Sequence, residues 1–343
     1  MTINGRTTPS PIETGCKTMQ EQELRAIIWP LLNPDDGRMR NCRVCWNEIE
    51  TQNNGLDLKK IEDALKETEA VGRCMLLTVD PIAPARYTDV KDGYMDLIGR
   101  LGERYGNNPV IFGLNVTVPE SGMSVREAVT CFRKAFPNAY LFIRPAVCDE
   151  QDLMSDVPGI GYTVTPENMA AFAEKAACHP LKIRLEDLPE DRTEEAIRCG
   201  ISLIETEDPA EINRPCHFGH RFRAEKMMME TVEDQLRIGA VLKNVGNTGC
   251  YSDSRFLIRL NGSDVPDVRV YDTGISGRAL GPGQQTEIVL DVDTEGLTPG
   301  EYDINIGLRL DRTGYPVSFG IEGRISDGFY EGRMIYVHPG SNV

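Results

Sequence analysis

The chain has 343 residues, a hydrophobic content of 40% and a formal net charge of −16. This length accommodates two domains, or one barrel with an appended domain. The negative charge argues against nucleic acid and against anionic membranes as partners, because both bind basic surfaces. No apolar run approaches the roughly 18 residues of a membrane span, so no membrane partner is expected.

The ten cysteines indicate a reducing compartment. Most of them lie in or beside predicted strands and helices, where cysteine packs as a small hydrophobic residue. Their density is well below that of disulfide-rich scaffolds, so we expect free thiols and no disulfides. Residues 1–20 are polar and lack the apolar segment of an export signal. The sequence therefore predicts a cytoplasmic protein.

The first half of the chain alternates predicted strands with predicted helices. The predicted strands are residues 26–32, 40–50, 74–80, 110–118, 139–147, 159–165, 181–186 and 201–205. Parallel neighbours need helical return connections of this kind. We predict a compact (β/α)8-type barrel, which is complete only if 26–32 supplies the eighth strand. An open doubly wound sheet is the alternative. No glycine-rich phosphate fingerprint follows the first strand, and no cofactor is expected.

After His220 the hydrophobic pattern changes to a period of two. The predicted strands are residues 236–243, 256–260, 286–292, 302–310 and 332–337, separated by glycine- and proline-containing turns. Short alternating strands of this kind are typical of an antiparallel β-sandwich. The predicted organisation is an N-terminal extension over 1–25, a barrel over 26–215 and a C-terminal β-sandwich over 231–343.

Several motifs in the two halves indicate a known architecture. They are Trp46-Asn47-Glu48-Ile49-Glu50 followed by Leu56-Asp57-Leu58, then Asn108-Pro109, and in the second half Leu297-Thr298-Pro299-Gly300-Glu301-Tyr302, Tyr315-Pro316-Val317 and Asp327-Gly328-Phe329-Tyr330-Glu331-Gly332. The first-half motifs resemble glycosidase-type barrels. The second-half motifs are similar to the β-sandwich of an uncharacterised bacterial family that carries a glycosidase-like (β/α) barrel.

The resemblance to glycosidases implies two carboxyl groups, one after the fourth strand and one after the seventh. One protonates the leaving oxygen, and the other attacks the anomeric carbon or activates water. Counted from 26–32, these positions belong to Glu120 and Glu186. The related enzymes have an asparagine directly before the acid/base glutamate, whereas Asn115 lies five residues before Glu120. Alternatively, Glu120 is a solvated loop residue and Glu186 is a structural ion-pair partner.

The strand at 181–186 places charges on the predicted barrel interior. Its residues Lys182, Arg184 and Glu186 share one face, and Arg144 on the fifth predicted strand points to the same space. Buried charges need partners. These residues form either a structural network or a pocket for an anionic ligand such as a uronic acid, since arginine binds carboxylates bidentately.

Four further residues are candidate contacts for a carbohydrate. Trp46 either stacks on a sugar ring or belongs to the core. Asp80 either binds a sugar hydroxyl or caps the loop before Pro81. Tyr162 alternates with Ile160 in the manner of a barrel-interior residue, and Asn115 lies in the fourth predicted strand.

The segment Cys216-His217-Phe218-Gly219-His220 has a spacing similar to that of metal ligands. No acidic ligand follows at a recognised spacing. We interpret the segment as a linker and expect no metal site.

Two functions follow from the sequence and remain open. The first is a glycoside hydrolase-like enzyme that acts on an oligosaccharide through Glu120 and Glu186. The second is a catalytically inactive carbohydrate-binding or assembly protein with a structural barrel. A carbohydrate is the expected partner in either case, and the sequence does not indicate an oligomeric state.

Overall fold

The protein is described from a computed structural model. The structure describes residues 39–145, 157–206 and 218–337, except for 52, 54, 121, 233, 234, 294, 295, 318 and 320–326. The predicted first strand at 26–32 lies outside the described residues. The described residues fall into two compact units, one within 28–214 and the other from 215 onward.

The N-terminal unit alternates strands and helices. Its strands are β1 (Arg40–Cys45), β2 (Met75–Asp80), β3 (Ile111–Asn115), β4 (Tyr140–Ile143), β5 (Ile160–Thr163), β6 (Leu181–Arg184) and β7 (Ile201–Glu205). Its α-helices are α1 (Trp46–Ile49), α2 (Lys59–Ala70), α3 (Val90–Tyr105), α4 (Val125–Ala135) and α5 (Thr193–Arg198), with 3₁₀ helices at Met169–Ala177, Leu185–Asp187 and Glu190–Arg192. Among the described residues, the seven strands pair in chain order, all in parallel. This confirms the predicted barrel-type α/β architecture, with seven strands described.

Burial explains why these segments form a parallel sheet with helices outside it. In β2 the residues from Met75 to Val79 are all buried, so both faces of the strand are covered. Glycines on α3 then let α4 approach closely. A Cβ on Gly102 would lie 2.5 Å from the Cβ of Ala135. No helix among the described residues is long and apolar enough to cross a membrane.

Five of the predicted strands end earlier in the structure than the sequence indicated, and in two of them, β1 and β6, the difference moves a candidate residue out of the strand. β1 ends at Cys45, and the following residues form the single helical turn α1. The turn is closed when the backbone N–H of Glu50 donates to the carbonyl of Trp46 at 3.0 Å. β6 ends at Arg184, so Glu186 lies in a 3₁₀ helix instead of the strand.

The C-terminal unit contains two antiparallel sheets. Its strands are β8 (Phe222–Val232), β9 (Gln235–Asn244), β10 (Ser254–Gly262), β11 (Val268–Ser276), β12 (Gln285–Asp293), β13 (Gly300–Leu310), β14 (Pro316–Val317) and β15 (Tyr330–Val337). One sheet has the order β12-β9-β8, and the other has β11-β10-β13 with β14 and β15 both on β13. Phe222 of the first sheet packs edge-on against Phe256 of the second, at 5.2 Å between ring centroids. The two sheets therefore face each other, as in the predicted β-sandwich.

Three strands of the sandwich, β8, β11 and β14, were not predicted. β8 begins at Phe222, ahead of the predicted boundary at residue 231. β11 lacks an alternating apolar pattern because its two exposed valines, Val268 and Val270, and its polar residues lie on a sheet edge. Hydrophobic residues recur with a period of two when one face of a strand is buried. A strand that is exposed at a sheet edge therefore lacks this pattern.

Seven of the ten cysteines fall within the described residues, and those seven are free thiols. Burial raises the pKa of the Cys42 thiol, and it likewise raises the pKa of the Cys250 thiol. These thiols therefore stay protonated and pack as apolar groups. Cys16, Cys148 and Cys216 lie outside the described residues.

Candidate functional site

Polar side chains converge inside the curled parallel sheet, toward the carboxyl ends of its strands. The Lys182 ammonium on β6 donates to Asn115 Oδ1 on β3 at 2.6 Å and to Glu205 Oε2 on β7 at 2.7 Å. Asn115 Nδ2 in turn donates to Thr78 Oγ1 on β2 at 2.7 Å. Asn41 Nδ2 on β1 donates to Glu205 Oε1 at 2.9 Å. We call these five residues the inner network, and they join five of the seven described strands.

Lys182 is the centre of the inner network, and only 3% of its side chain is exposed. Its ammonium also lies 5.5 Å from the centroid of the Phe142 ring. Phe142 reaches this position across β5 because Gly161 has no side chain, and a Cβ there would lie 2.5 Å from the Phe142 ring. Burial lowers the pKa of Lys182, and the carboxylate of Glu205 opposes this effect. The ion pair thus keeps a positive charge in an otherwise unfavourable place.

Three arginines lie at the carboxyl ends of the strands around the inner network. Arg43 donates to both carboxylate oxygens of Asp80, with Nε at 2.6 Å and Nη2 at 3.0 Å. Arg144 directly follows β4 and is exposed. Arg184 is the last residue of β6, and its side chain is 35% exposed. The positive charges of Arg144 and Arg184 both contribute to the lowered pKa of Lys182, so both lie near it.

The two candidate catalytic carboxylates occupy different surroundings. Glu186 accepts a hydrogen bond from Thr206 Oγ1 at 2.8 Å, and its Oε2 lies 3.9 Å from Arg184 Nε. Glu120 lies exposed in a turn beyond β3. Among the described residues, no hydrogen bond or ion pair joins Glu120 to Glu186 or to the inner network. Glu186 therefore has the polar partners of an ion-pair residue, whereas Glu120 is solvated.

Trp46 is not a sugar-stacking platform. Its side chain is fully buried, and its ring centroid lies 4.6 Å from that of Tyr87 and 5.7 Å from that of Tyr94. Its indole N–H donates to Glu50. Because α1 folds back under the loop that precedes α3, Trp46 belongs to the core and presents no face to a ligand.

The structure assigns Glu50 a role that the sequence analysis missed. Its carboxylate is almost fully buried and accepts hydrogen bonds from Tyr87 Oη at 2.9 Å and Arg100 Nη1 at 3.1 Å. Arg86 Nη2 lies 3.4 Å away. Burial alone would raise the pKa of Glu50, but the hydrogen bonds from Trp46, Tyr87 and Arg100 outweigh it and lower the pKa. Glu50 thus fastens α1, α3 and the loop between β2 and α3 to one another.

Tyr162 does not face the interior. Its ring packs against Phe172 at 4.9 Å and against His179 at 5.5 Å, on the side where the 3₁₀ helix Met169–Ala177 covers the sheet. The register pairs Thr163 with Lys182, so Thr163 and not Tyr162 shares the face of the inner network. The prediction that Tyr162 faces the interior was therefore wrong, because alternate residues of a strand point to opposite faces and the interior position belongs to its neighbour Thr163.

Asp80 was predicted to bind a sugar hydroxyl or to cap the loop before Pro81. In the structure both of its carboxylate oxygens accept hydrogen bonds from Arg43. Asn115 does lie at the inner face, where it bridges Lys182 and Thr78. Three members of this group were not predicted from the sequence: Asn41, Thr78 and Glu205. The available signal was parity: Asn41 and Arg43 alternate with the buried residues Cys42 and Val44, as Lys182 and Arg184 alternate with Leu181 and Ile183.

Metal ligation has no support within the described part of the chain, where no three His, Cys, Asp or Glu side chains cluster in a way that could hold an ion. Cys216 and His217 of the predicted linker lie outside the described residues. His220 is buried, with its ring 5.1 Å from that of Phe222.

No protein-family model matches this chain, and no curated protein matches its sequence. Among solved structures, it is similar to endo-glycoceramidase II from Rhodococcus sp., with 10% identity, coverage of 73% of this chain and 88% of that one, and a TM-score of 0.37. It is also similar to a tri-modular endo-β-1,4-glucanase of subfamily 4 of GH5 from Bacillus licheniformis, with 9% identity, coverage of 81% and 89%, and a TM-score of 0.37.

A third similarity is to a CARDB domain from Pyrococcus furiosus, with 15% identity, coverage of 31% of this chain and 81% of that one, and a TM-score of 0.20. At these identities and TM-scores, the similarities establish neither activity nor substrate. The chain shows a distant structural similarity to glycoside hydrolase barrels, and its catalytic residues and substrate are not given by that similarity.

Proposed function

We propose that this protein binds an oligosaccharide at the carboxyl ends of its parallel strands and does not hydrolyse it. Ligands of barrel proteins bind at this end of the sheet. Arg144, Arg184 and Glu186 offer polar groups there that water already reaches. Sugar hydroxyls are recognised by such groups.

The observation that carries the proposal is the state of the interior carboxylate. Glu205 has one oxygen bonded to Asn41 and the other to Lys182. A nucleophile or general base needs an oxygen that can reach the substrate. Both oxygens of Glu205 are engaged by the sheet and only 16% of its side chain is exposed, which favours a structural role for this carboxylate.

The predicted acid/base pair supports the same conclusion. A retaining glycosidase places its two carboxyl groups about 5–5.5 Å apart. Its acid is kept protonated by burial or by a neighbouring carboxylate. Glu120 is exposed, and Glu186 is bonded to Thr206.

The connections after β1 and β6 are also short. α1 begins directly after β1, and the 3₁₀ helix Leu185–Asp187 begins directly after β6. Long loops at this end usually build the substrate cleft of an enzyme. Short ones leave an open binding surface.

The test combines titration calorimetry with an assay for new reducing ends, using the full chain and a panel of neutral and acidic oligosaccharides. We expect at least one oligosaccharide to bind and none to be cleaved. E186Q and E120Q are compared with E103Q, a matched change at an exposed glutamate on α3. Cleavage that E186Q abolishes and E103Q preserves would establish the hydrolase instead. Absence of binding across the panel would refute the proposal.

A further inference from the structure

The outer surface of the N-terminal unit exposes acidic side chains along the helix α3. The side of α3 that packs on the unit's core is fully buried, as Leu97 and Leu101 illustrate. The opposite side exposes Asp92, Asp96 and Glu103, which share one face of the helix. We call these three residues the acidic ridge.

The neighbouring helix α4 exposes charges of the opposite sign. Arg126, Thr130 and Lys134 are exposed and spaced four residues apart, so they lie along one side of the helix. We call these three residues the basic ridge. Two parallel ridges of opposite charge therefore lie side by side on the surface.

Most of the ridge charges have no ion-pair partner among the described residues. These charges belong to Asp92, Glu103, Arg126 and Lys134. Asp96 is the exception, since its Oδ2 lies 3.6 Å from Nη1 of Arg100 on the same helix. Its side chain is nevertheless 66% exposed. The two ridges therefore present charges that a neighbouring molecule can complement.

The helices α3 and α4 run in the same direction and in a constant register. Lys91 Nζ on α3 lies 2.6 Å from Glu127 Oε1 on α4. Further along, the Cys131 thiol on α4 donates to the backbone oxygen of Met95 on α3 at 3.7 Å. Both contacts join residues that are 36 positions apart. The two helices therefore advance together along the surface.

This register places opposite charges at similar levels on the two ridges. Arg126 lies two residues, or about 3 Å, from the level of Asp92. Lys134 lies equally close to the level of Asp96, and Glu103 is about 8 Å further along α3, within reach of long side chains. The furrow between the ridges has a volume of about 810 Å³.

We infer that the acidic and basic ridges join two copies of this chain into a symmetric dimer. A two-fold axis parallel to the helices places α3 of each copy over α4 of the other. Asp92 then faces Arg126 of the second copy, while Asp96 and Glu103 face its Lys134. Opposite potentials across such an interface fix the register of the two partners. An axis across the helices would instead oppose like charges.

The size of this surface indicates a weak dimer. The 16 residues of α3 span roughly 24 Å, and two adjacent helices are roughly 20 Å wide. The contact then covers on the order of 500 Å² per copy, or about 1,000 Å² in total, which is the lower limit for a specific interface. Met95 and Cys131 line the furrow and supply apolar contact near the axis. We therefore expect the dimer to dissociate on dilution.

Sedimentation velocity of the full chain over a range of concentrations tests the inference. The wild type should show a reversible equilibrium between monomer and dimer. D92K/E103K makes both ridges basic, and R126E/K134E makes both acidic. Each variant should associate at least about tenfold more weakly, because like charges then face each other. D92K/E103K also makes the chain less negative than −16, so a general effect of net charge would strengthen its association instead.

Two further measurements test whether the ridges pair with each other. An equimolar mixture of D92K/E103K and R126E/K134E should form a dimer, because a fully basic surface then meets a fully acidic one. The variant that combines all four changes exchanges the signs of the two ridges and keeps the net charge. It should recover self-association close to that of the wild type.

Matched changes on the helix α2 are the controls. D63K/E69K and K59E/K66E alter the net charge as the ridge variants do, at exposed positions of α2. Both should associate like the wild type. All the ridge substitutions are at exposed positions, and thermal unfolding checks that each variant is folded.

Four results would each overturn the inference. They are a wild type that stays monomeric at the highest concentration, unchanged association in either ridge variant, failure of the mixture to associate, and assemblies larger than a dimer. None of them bears on carbohydrate binding at the strand ends, because the ridges lie on the outer side of the helices.

Discussion

Lys182 and Glu205 show why a buried ion pair in this sheet is sensitive to the loss of either partner. Each charge was removed from water during folding, and each relies on the other for compensation. Asn115 and Asn41 supply further hydrogen bonds to the pair. A substitution that removes one charge therefore leaves the other buried without its partner.

We predict that K182M lowers the free energy of unfolding by about 3–5 kcal/mol, as does E205Q. The double variant should lose less than the sum of the two, because no uncompensated charge remains. Urea unfolding of the four proteins gives the coupling. R237Q, which opens the exposed pair of Arg237 and Asp291, serves as the control and should change stability far less. Additive losses at Lys182 and Glu205 would show that they do not act as a pair.

Glu127 gives a pH dependence with a defined sign. It accepts hydrogen bonds from Lys91 and from Ser124 at the start of α4, and these lower its pKa from 4.5 to about 2. A carboxylate whose pKa is lowered by folding stabilises the folded state fully at pH values above its pKa in the unfolded chain. This contribution is lost as the pH falls toward its pKa in the folded state.

The stability difference between the wild type and E127Q should therefore be largest above pH 4.5 and shrink as the pH falls toward about 2. Urea unfolding of both proteins at a series of pH values measures it. A difference that stays constant across this range would contradict the assignment of the lowered pKa to Glu127.

At the level of elements, the sequence predicted the strands of the parallel sheet well, because a run buried on both faces is continuously apolar. The ends were less predictable. Trp46 is as compatible with a strand as with a helix, and its helical turn depends on Glu50, whose partners Arg86 and Arg100 come from distant segments. The edge strand β11 could not be predicted for the opposite reason, since Val268 and Val270 are exposed.

The Glu50 cluster yields a prediction for the elements that it joins. E50Q should lower the free energy of unfolding by about 3–5 kcal/mol, because Arg86 and Arg100 lose the buried charge that they face. E48Q, on the exposed side of the same helix α1, is the matched control and should be close to wild type. Chemical unfolding of the two variants measures the difference, and equal stability would remove Glu50 from this role.

Gly161 on β5 and Gly99 on α3 differ in the space that a side chain would find. A Cβ at Gly161 on β5 would lie 2.5 Å from the Phe142 ring, whereas one at Gly99 on α3 would meet no atom of the described residues within 4 Å outside its own helix and chain neighbours. We predict that G161A destabilises by about 1–3 kcal/mol through overpacking. G99A should stabilise by about 0.5–1 kcal/mol through helix propensity. Thermal unfolding checks both, and a stabilising G161A would contradict the packing described for Phe142.

For the whole molecule, the fold was more predictable than the site. The switch from alternating strands and helices to a period of two is visible in the sequence and corresponds to the two units. The inner network was only partly predictable. Lys182 was identified from strand parity, but its partner Asn115 comes from β3, 67 residues earlier in the chain, and its partner Glu205 comes from the neighbouring strand β7. Tyr162 was misplaced because a strand of four residues fixes its parity poorly.

The most direct test of non-hydrolytic binding is mass spectrometry of the oligosaccharide recovered after prolonged incubation with saturating protein. The ligand is one whose binding calorimetry has already established. We predict that the oligosaccharide is recovered intact, with every glycosidic bond preserved, and that E186Q gives the same result. Recovery of shortened products from the wild type, together with intact ligand from E186Q, would contradict the proposed function and identify Glu186 as a catalytic residue.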